Sequence, residues 1–333
     1  MTLPDLALPL TKALVRRALP RPILARVRRI RRTGGGIETL SARYCYAVWM
    51  HHLVKARDNG LPTAPASVAE IGPGASLGVG IAALLTGADR YVAFDVVREP
   101  VAPANLRLFD ELEHLLQERA VIPGGMEFPE LRPRLSTLAF PDDILGEERL
   151  TRALDPVRTA TLRQMVQEDR VEYVAPWWHA ESINSASIDL VVSQAVMEHV
   201  EALPATYAAM FKWVKPGGFI SHQIDLRSHG TSRKWNGHWA YPRWLWSVQD
   251  GIINRQPVSA HLTAIRDAGF SVVAVEREAG PAGIGRGALA PEWRGLSDDD
   301  LYCQGAFVQA VRPVAVGRGR AAHHRTTLNT QTA

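Results

Sequence analysis

Short apolar segments bounded by turn residues recur along the chain and predict seven β-strands. The predicted strands are 67–71, 90–94, 171–174, 188–192, 218–224, 271–275 and 302–311. Helical patterns, including 77–86 and 201–214, separate the first five strands. This alternation predicts an α/β fold with a mostly parallel sheet and helices on both faces. The last two strands have no comparable helix between them, so we expect an antiparallel terminal hairpin.

The same pattern divides the chain into a folded body and two flanking segments. Residues 37–313 form the predicted domain, and residues 98–168 form a long helical insert within it. A crossover between strands can be as short as ~10–12 residues. An insert at this position would overhang the carboxyl ends of the strands, where ligands bind, as a substrate cap or as a structural decoration. The tail, 314–333, lacks apolar periodicity and is predicted to be disordered.

Charge is distributed unevenly over the 333 residues, whose formal net charge is +4. Residues 1–36 carry +8 and residues 312–333 carry +4, which leaves −8 on residues 37–311. An acidic body disfavours nucleic acid as a partner, because binding phosphates needs basic surface on the folded domain.

The basic leader bears on location. In residues 1–33 leucine, valine and isoleucine alternate with arginine, as in segments that lie on anionic membranes, although a solvated helix packed on the body fits equally. No apolar run reaches the ~18 residues of a membrane span. Two distant cysteines exclude a disulfide framework and favour a reducing compartment. We therefore expect a cytoplasmic protein, either free or peripheral at the inner face of the membrane.

A glycine-rich turn follows the first predicted strand. The strand ends at Ile71, Gly72 and Gly74 come next, and a helical pattern begins near Ser76. Without a Cβ, glycine lets the backbone turn sharply and approach a ligand closely. The second strand ends at Asp95, which is placed to accept hydrogen bonds from ribose hydroxyls. This spacing favours a nucleoside-type ligand over an ordinary strand-to-helix turn.

Three segments resemble motifs of the class I S-adenosylmethionine-dependent methyltransferases. Residues 70–76 match the first motif, residues 187–200 resemble the fourth strand with its following helix, and residues 213–220 resemble the turn into the fifth strand. The chain departs from the pattern at Ser76, in the third glycine position. The resemblance implies a Rossmann-like seven-stranded sheet, methyltransferase activity and S-adenosyl-L-methionine as cofactor.

The resemblance also implies roles for the matched positions. Glu70, with the backbone at Gly72 and Gly74, would hold the methionine end, and Asp95 would hold the ribose. Gln194 and Ala195 would form the rim beside the transferable methyl group. His179 stands where the family often has an acid that holds the adenine amine. It is therefore a candidate adenine neighbour or an ordinary loop histidine.

Polar residues near the end of the fifth strand are candidates for the chemistry of transfer. A hydroxyl acceptor loses its proton during attack, and a histidine with a pKa near neutrality can accept it. The candidates are His222, Asp225 and His229. A divalent metal ion bound by histidine and aspartate is the alternative, and the sequence leaves metal dependence open. Tryptophans cluster in the same region and are candidates for contact with an acceptor.

The acceptor is the least determined part of the prediction. Residues 105–141 and 222–255 resemble, in overall texture, a subgroup encoded with bacterial surface-glycan genes. That resemblance implies O-methylation of a sugar or other small hydroxylated acceptor, free or linked to a nucleotide or lipid. A non-catalytic nucleoside-binding scaffold and a nicotinamide-dependent enzyme are the competing hypotheses. The oligomeric state is not indicated.

Overall fold

The computed structural model describes residues 38–98, 103–177, 181, 183–248 and 253–314. The helices of this part of the chain are α1 (Ala42–Asp58), α2 (Gly78–Leu85), α3 (Ala104–Gln117), α4 (Glu147–Ala153), α5 (Pro156–Gln167), α6 (Leu203–Trp213), α7 (Arg243–Val248), α8 (Val258–Asp267) and α9 (Asp298–Leu301). The strands are β1 (Ser67–Ile71), β2 (Arg90–Phe94), β3 (Glu172–Val174), β4 (Ile188–Gln194), β5 (Val214–Asp225), β6 (Ser271–Ala279) and β7 (Cys303–Val311).

The strands form one sheet of seven in the order β3-β2-β1-β4-β5-β7-β6. Neighbours are parallel except at β7, which runs antiparallel to both β5 and β6. Strand β1 is buried along its whole length, as expected of a central parallel strand, although it contains Ser67 and Glu70. The edge strand β6 is only half-buried or exposed. The predicted fold class is confirmed.

The predicted strands agree with the structure in position and differ mainly at their ends. Strands β1 and β2 have the predicted bounds, whereas β5 begins four residues before the predicted start at residue 218. The extension arises from an irregularity in the pairing of β4 with β5, where Ile188 pairs with Val214 but Leu190 pairs with Phe219. A bulge of this kind adds residues to one strand of a pair, and turn-like sequence conceals it.

Helix α1 covers one face of the sheet and brings residues to the ligand-binding edge. Ser41 caps its first turn by accepting the N–H of Tyr44, and 12 of its 17 residues are buried. The indole Nε1 of Trp49 donates to Oγ1 of Thr86 at 2.8 Å, which attaches α1 to the end of α2. The start of α1 lies beside the loop that follows β1, where Sγ of Cys45 is 4.0 Å from Oγ of Ser76.

The opposite face is covered by α6 and α8. Phe94, at the end of β2, stacks on Trp213 with ring centroids 4.6 Å apart, and Trp177 contacts both rings. Offset or edge contacts between buried aromatic rings are favourable beyond the area that they bury. This cluster fixes the ends of β2 and α6 against each other.

The insert between β2 and β3 is described over residues 98 and 103–168, and it contains α3, α4 and α5. Its connection from α3 to α4 follows α1, since the Tyr46 hydroxyl donates to the carbonyl of Ala120 at 2.6 Å. Farther on, Nε of Arg132 lies 2.5 Å from Oε1 of Glu278 near the end of β6. The insert therefore reaches the carboxyl edge of the sheet.

Two further predictions concern the ends of the chain. The leader of residues 1–36 and residues 315–333 of the tail lie outside the described residues. Within the described ranges, none of the helices combines the length and apolar character that crossing a membrane requires.

Candidate active site

The loop after β1 has the geometry that its glycines allow. Gly72 and Gly74 have φ values of +69° and +74°, in the left-handed region that side chains disfavour. A Cβ atom at Gly72 would lie 2.6 Å from Cγ2 of Val196, so the turn after β4 packs directly on the glycine backbone. The loop thus presents bare backbone at the carboxyl edge of the sheet.

Residues on both sides hold the glycine loop in place. Thr39, just before α1, accepts the N–H of Ala75 at 3.1 Å, and Asn105 of α3 accepts the N–H of Leu77 at 3.0 Å. The hydroxyl of Ser76 donates to the backbone carbonyl of Thr39. The serine in the third glycine position is therefore a bracing residue, which gives the departure from the motif a physical reason.

Glu70 lies beneath the loop and makes contacts within the protein. Its Oε2 accepts the hydroxyl of Tyr91 at 2.5 Å, and the backbone N–H of Gly80, at the start of α2, also bonds to the carboxyl group. A Cβ atom at Gly80 would lie 2.0 Å from Cζ of Tyr91, so glycine is required there. Burial raises the pKa of Glu70 to about 7, against the opposing effect of the Tyr91 hydrogen bond.

Asp95 lies beside the glycine loop. The register of β1 and β2 pairs Ile71 with Phe94, so Gly72 and Asp95 leave the sheet as neighbours. The N–H of Gly72 donates to the carbonyl of Phe94 at 2.8 Å, and Oδ1 of Asp95 accepts the N–H of Val96 at 2.6 Å. The acid stands at the strand tip, as the sequence predicts.

Gln194 and Ala195 end β4 next to the same loop. Ala195 has a φ of +51°, and its N–H donates to the carbonyl of Gln223 in β5 at 3.0 Å. For a non-glycine residue this conformation costs ~1–2 kcal/mol. The turn directs Val196 onto Gly72, and the hydroxyl of Tyr44 hydrogen-bonds to Gln194. The strained turn at Ala195 therefore holds the end of β4 against the glycine loop.

Asp225 and His229 come together at the carboxyl end of β5. His229 Nε2 lies 3.5 Å from Oδ2 of Asp225, and Arg227 Nη2 lies 2.5 Å from the same oxygen. Burial acts to raise the pKa of Asp225, but the bond to Arg227 and the charge of His229 lower it overall. The carboxyl group is therefore an ionised partner for whatever binds beside it.

Glu198 is a third acid at this end of the sheet, in the turn Met197–His199 after β4. Its side chain is 2% exposed, and neither oxygen accepts a hydrogen bond of normal geometry. Burial and the negative charge of Asp225 raise its pKa well above the ordinary range, and nearby backbone N–H groups offset this only partly. Its Oε1 lies 3.8 Å from His199 Nε2 and 3.9 Å from His229 Nε2.

His222 does not join this group. Its side chain is fully buried, with Nδ1 2.8 Å from Oγ of Ser193 and its ring against Tyr207 of α6. Burial lowers its pKa to about 3, with smaller effects from the nearby histidines. Because side chains alternate along a strand, His222 and Asp225 point to opposite faces of β5. We therefore no longer propose His222 as the base. His179 lies outside the described residues.

A polar cleft opens beside Asp225, between the insert and the ends of β5, β6 and β7. Arg132 pairs with Glu278 across it, and Arg227 pairs with Glu130 of the insert. The lining residues are charged or polar except for one glycine: Glu130, Arg132, Gln223, Asp225, Arg227, Glu278, Gln304 and Gly305. Such a lining suits a hydrophilic ligand.

Most of the described tryptophans near this end of the sheet are buried in the protein interior. The side chains of Trp177, Trp239 and Trp246 are buried, and Trp235 bonds to the carbonyl of Pro281. Within the described ranges, no tryptophan belongs to the lining of the polar cleft.

Comparison with known proteins defines the class of this fold and site. A family described as "Methyltransferase domain" matches residues 46–275, which is more than half of the chain. The chain belongs to this family, and it is an S-adenosylmethionine-dependent methyltransferase. The match decides against the scaffold and nicotinamide hypotheses. No curated protein sequence matches the chain.

Several solved structures are similar to the chain at low identity. An S-adenosylmethionine-dependent methyltransferase from Mesorhizobium loti is 13% identical, with a TM-score of 0.37 over 78% of this chain and 96% of its own. The geranyl diphosphate C-methyltransferase of Streptomyces coelicolor is 11% identical, with a TM-score of 0.40 over 79% of each chain. Phosphoethanolamine N-methyltransferase 2 of Haemonchus contortus is 13% identical, with a TM-score of 0.39 over 82% of this chain and 58% of its own.

The residues at the loop fit the cofactor that the family uses. Gly72 and Gly74 hold left-handed backbone conformations that a side chain would strain, and Asp95 supplies a carboxylate beside the loop. Backbone donors and an acid at the second strand tip suit a nucleoside with a charged amino acid end.

Proposed function

We propose that this enzyme methylates a hydroxyl group of a sugar or similar small hydroxylated acceptor in glycan biosynthesis. The observation that carries the proposal is the polar cleft beside Asp225, whose lining includes Gln223 and Gln304. Amide and carboxylate groups in this density can hydrogen-bond to the hydroxyls of a sugar, whereas an apolar acceptor would exclude water from them without replacing its hydrogen bonds.

The two segments that resemble the glycan-associated subgroup supply opposite walls of this cleft. Glu130 and Arg132 belong to residues 105–141, and Asp225 and Arg227 belong to residues 222–255. The ion pair between Arg227 and Glu130 joins the two segments, and Arg132 of the insert pairs with Glu278 of β6. This coincidence supports the insert as an acceptor cap.

The cofactor would lie over the glycine loop. We assign its methionine end to the backbone at Gly72 and Gly74, its ribose to Asp95, and the rim beside its methyl group to Gln194 and Ala195. Glu70 would act from beneath, by holding α2 and Tyr91 under the loop. His179 remains a proposal for the neighbour of the adenine.

The cofactor supplies an electrophilic methyl group on a sulfonium. The acceptor O–H bond breaks while the new C–O bond forms, and the electron pair of the C–S bond returns to sulfur. The proton needs an acceptor at the carboxyl end of β5, where Asp225 and His229 lie 3.5 Å apart. Ala195 bonds to Gln223, which lines the cleft, so the acceptor site adjoins the methyl rim.

Incubation with methyl-labelled S-adenosylmethionine and a panel of free, nucleotide-linked and lipid-linked sugars tests the proposal. We expect label on a hydroxyl oxygen, located by mass spectrometry and NMR. Protein with the exposed Asp89→Asn substitution, at the opposite end of β2, serves as a matched control and should remain active. Label on nitrogen or carbon alone would contradict the proposal.

We also propose that residues 1–33 place the enzyme at an anionic membrane surface when the acceptor is lipid-linked. The support is the +8 charge of residues 1–36 against −8 on the body. Deleting residues 1–33 should shift the enzyme from the membrane to the cytosolic fraction. An unchanged distribution would reject the anchoring role.

A further inference from the structure

Three potential metal ligands meet beside Asp225, which lines the polar cleft. Glu198 and His199 come from the turn after β4, and His229 comes from the loop after β5. One ligand atom from each residue lies within 4.8 Å of the others. With metal–ligand bonds of ~2.1 Å, ligands in tetrahedral geometry are about 3.4 Å apart. The observed 3.8 and 3.9 Å separations from Glu198 Oε1 require only a small contraction.

The carboxylate of Glu198 is the group that needs a partner. It is 2% exposed, and both of its oxygens lack a hydrogen-bond donor of normal geometry. A buried carboxyl group that lacks hydrogen-bond partners is costly, and its ionised form is stable only beside a cation such as a bound metal. Arg227 is committed to Asp225 and Glu130 and does not pair with Glu198.

The orientation of His229 is that of a ligand. Its Nε2 is buried without a hydrogen-bond partner, while the ring hydrogen-bonds to the backbone carbonyl of Asp225. Metal-bound histidines typically donate their other ring N–H to a carbonyl or carboxylate, which fixes the tautomer and leaves the ligating nitrogen free. A φ of +47° at His229 shows that the backbone bends to hold this position.

We propose that Glu198, His199 and His229 bind one divalent transition-metal cation, and that Asp225 lies beside it. Two imidazoles and a carboxylate suit zinc, manganese, iron or cobalt better than calcium or magnesium. With Glu198 ionised, the charges of Glu130, Glu198, Asp225 and Arg227 sum to −2, which a divalent cation balances. The proposal that a metal binds here rests on the positions of these side chains and does not depend on the proposed reaction.

Its use in the reaction rests on the proposed function. A cation at this position would lower the pKa of an acceptor hydroxyl held in the cleft. His229 would then serve as a ligand, and Asp225 would receive the proton.

Titration of the tag-free, metal-stripped full-length protein with Co²⁺ and Mn²⁺, followed by calorimetry and by the visible spectrum of Co²⁺, tests the site. We expect one saturable equivalent. Glu198→Gln and His199→Ala should each weaken binding by roughly 100-fold or more, since even the outer-shell partners of metal ligands matter by 10–100-fold. Thermal melting checks that each variant is folded, and substituting His199, whose side chain is 36% exposed, should disturb the fold less than substituting the buried Glu198.

The neighbouring histidines His323 and His324 in the tail are the obvious competing ligands. A double substitution, His323→Ala with His324→Ala, should keep the saturable site, as should the exposed His114→Ala. Absence of saturable binding, or equal binding by wild type and Glu198→Gln, would overturn the proposal. The titration contains neither cofactor nor acceptor, so its result is independent of whether a hydroxyl is the methylated group.

Discussion

The two halves of the carboxyl edge are built on opposite principles. At the cofactor half, the loop after β1 is bare backbone, and the side chains around it bond to one another: Glu70 to Tyr91, Ser76 to Thr39, Asn105 to Leu77. At the acceptor half, buried polar groups lack partners, including both oxygens of Glu198 and the Nε2 of His229.

This difference separates a preorganised site from one that is completed by its ligands. A braced glycine loop needs little rearrangement to receive a nucleoside, because its conformation is already fixed. Unpaired buried groups store unfavourable free energy that a bound cation or hydroxyl can offset. We therefore expect substitutions in the acceptor half to affect turnover, and substitutions in the cofactor half to affect affinity and stability.

The largest expected effect is the loss of turnover on substitution of Asp225. Asp225→Asn removes the carboxylate that we propose as the proton acceptor, so kcat should fall by about 10²–10⁴-fold. The affinity for S-adenosylhomocysteine, measured by calorimetry, should change little.

His222→Gln is the matched comparison for Asp225→Asn, since it alters the same strand on the opposite face. Loss of the buried bond to Ser193 should lower the free energy of unfolding by about 1–3 kcal/mol, while kcat of the folded protein is retained. A loss of turnover in His222→Gln with full activity in Asp225→Asn would show that His222, and not Asp225, takes part in the reaction.

The next effect is the pH dependence contributed by Glu70. Burial raises its pKa from 4.5 to about 7, so protonation favours the folded state. The stabilisation is complete below pH ~4.5 and is lost as the pH rises through ~7, which corresponds to about 3 kcal/mol. Glu70→Gln should lack this loss in urea unfolding between pH 5 and 8.

Glu118→Gln, on the surface at the end of α3, is the control for Glu70→Gln. Its unfolding curve should follow that of the wild type at every pH. Identical slopes of stability against pH in wild type and Glu70→Gln would show that Glu70 is ionised in the folded protein.

The smallest expected effect is the loss of cofactor affinity on substitution of Asp95. Asp95→Ala should weaken cofactor binding by about 1.5–3 kcal/mol, or roughly 10–150-fold, because ribose hydroxyls lose a charged acceptor. Calorimetry with S-adenosylhomocysteine measures this, and the exposed Asp89→Ala at the other end of β2 should bind normally. Equal affinity in both variants would remove Asp95 from the site.

The same contrast explains how far sequence predicts this protein. Residues 70–95 form strand, loop, helix and strand in succession, so periodicity and glycine spacing locate the loop and Asp95. The partner of Glu70 was missed, although Gly80 within a helical pattern indicated a close neighbour. The acceptor half joins residues about 100 positions apart, from Glu130 to Asp225 and His229, and pattern within one element cannot bring them together.

Two failures have simple physical causes. The spacing of three between His222 and Asp225 places their side chains on opposite faces of a strand, so alternation alone separates the two candidates. The sequence around Glu198 gives no local sign of its burial without hydrogen-bond partners, because that property depends on the whole surrounding structure.

The turn after β4 has one further consequence. Ala195 bends the chain so that Val196 rests on Gly72, and Glu198 and His199 follow within three residues. The same short rigid turn thus touches the cofactor loop at one end and holds two proposed ligands at the other. Occupancy of one half should therefore alter affinity in the other half by a shared coupling free energy, equal in both directions. We expect an ordered kinetic scheme, in which S-adenosylmethionine binds first and positions the turn after β4 for the acceptor.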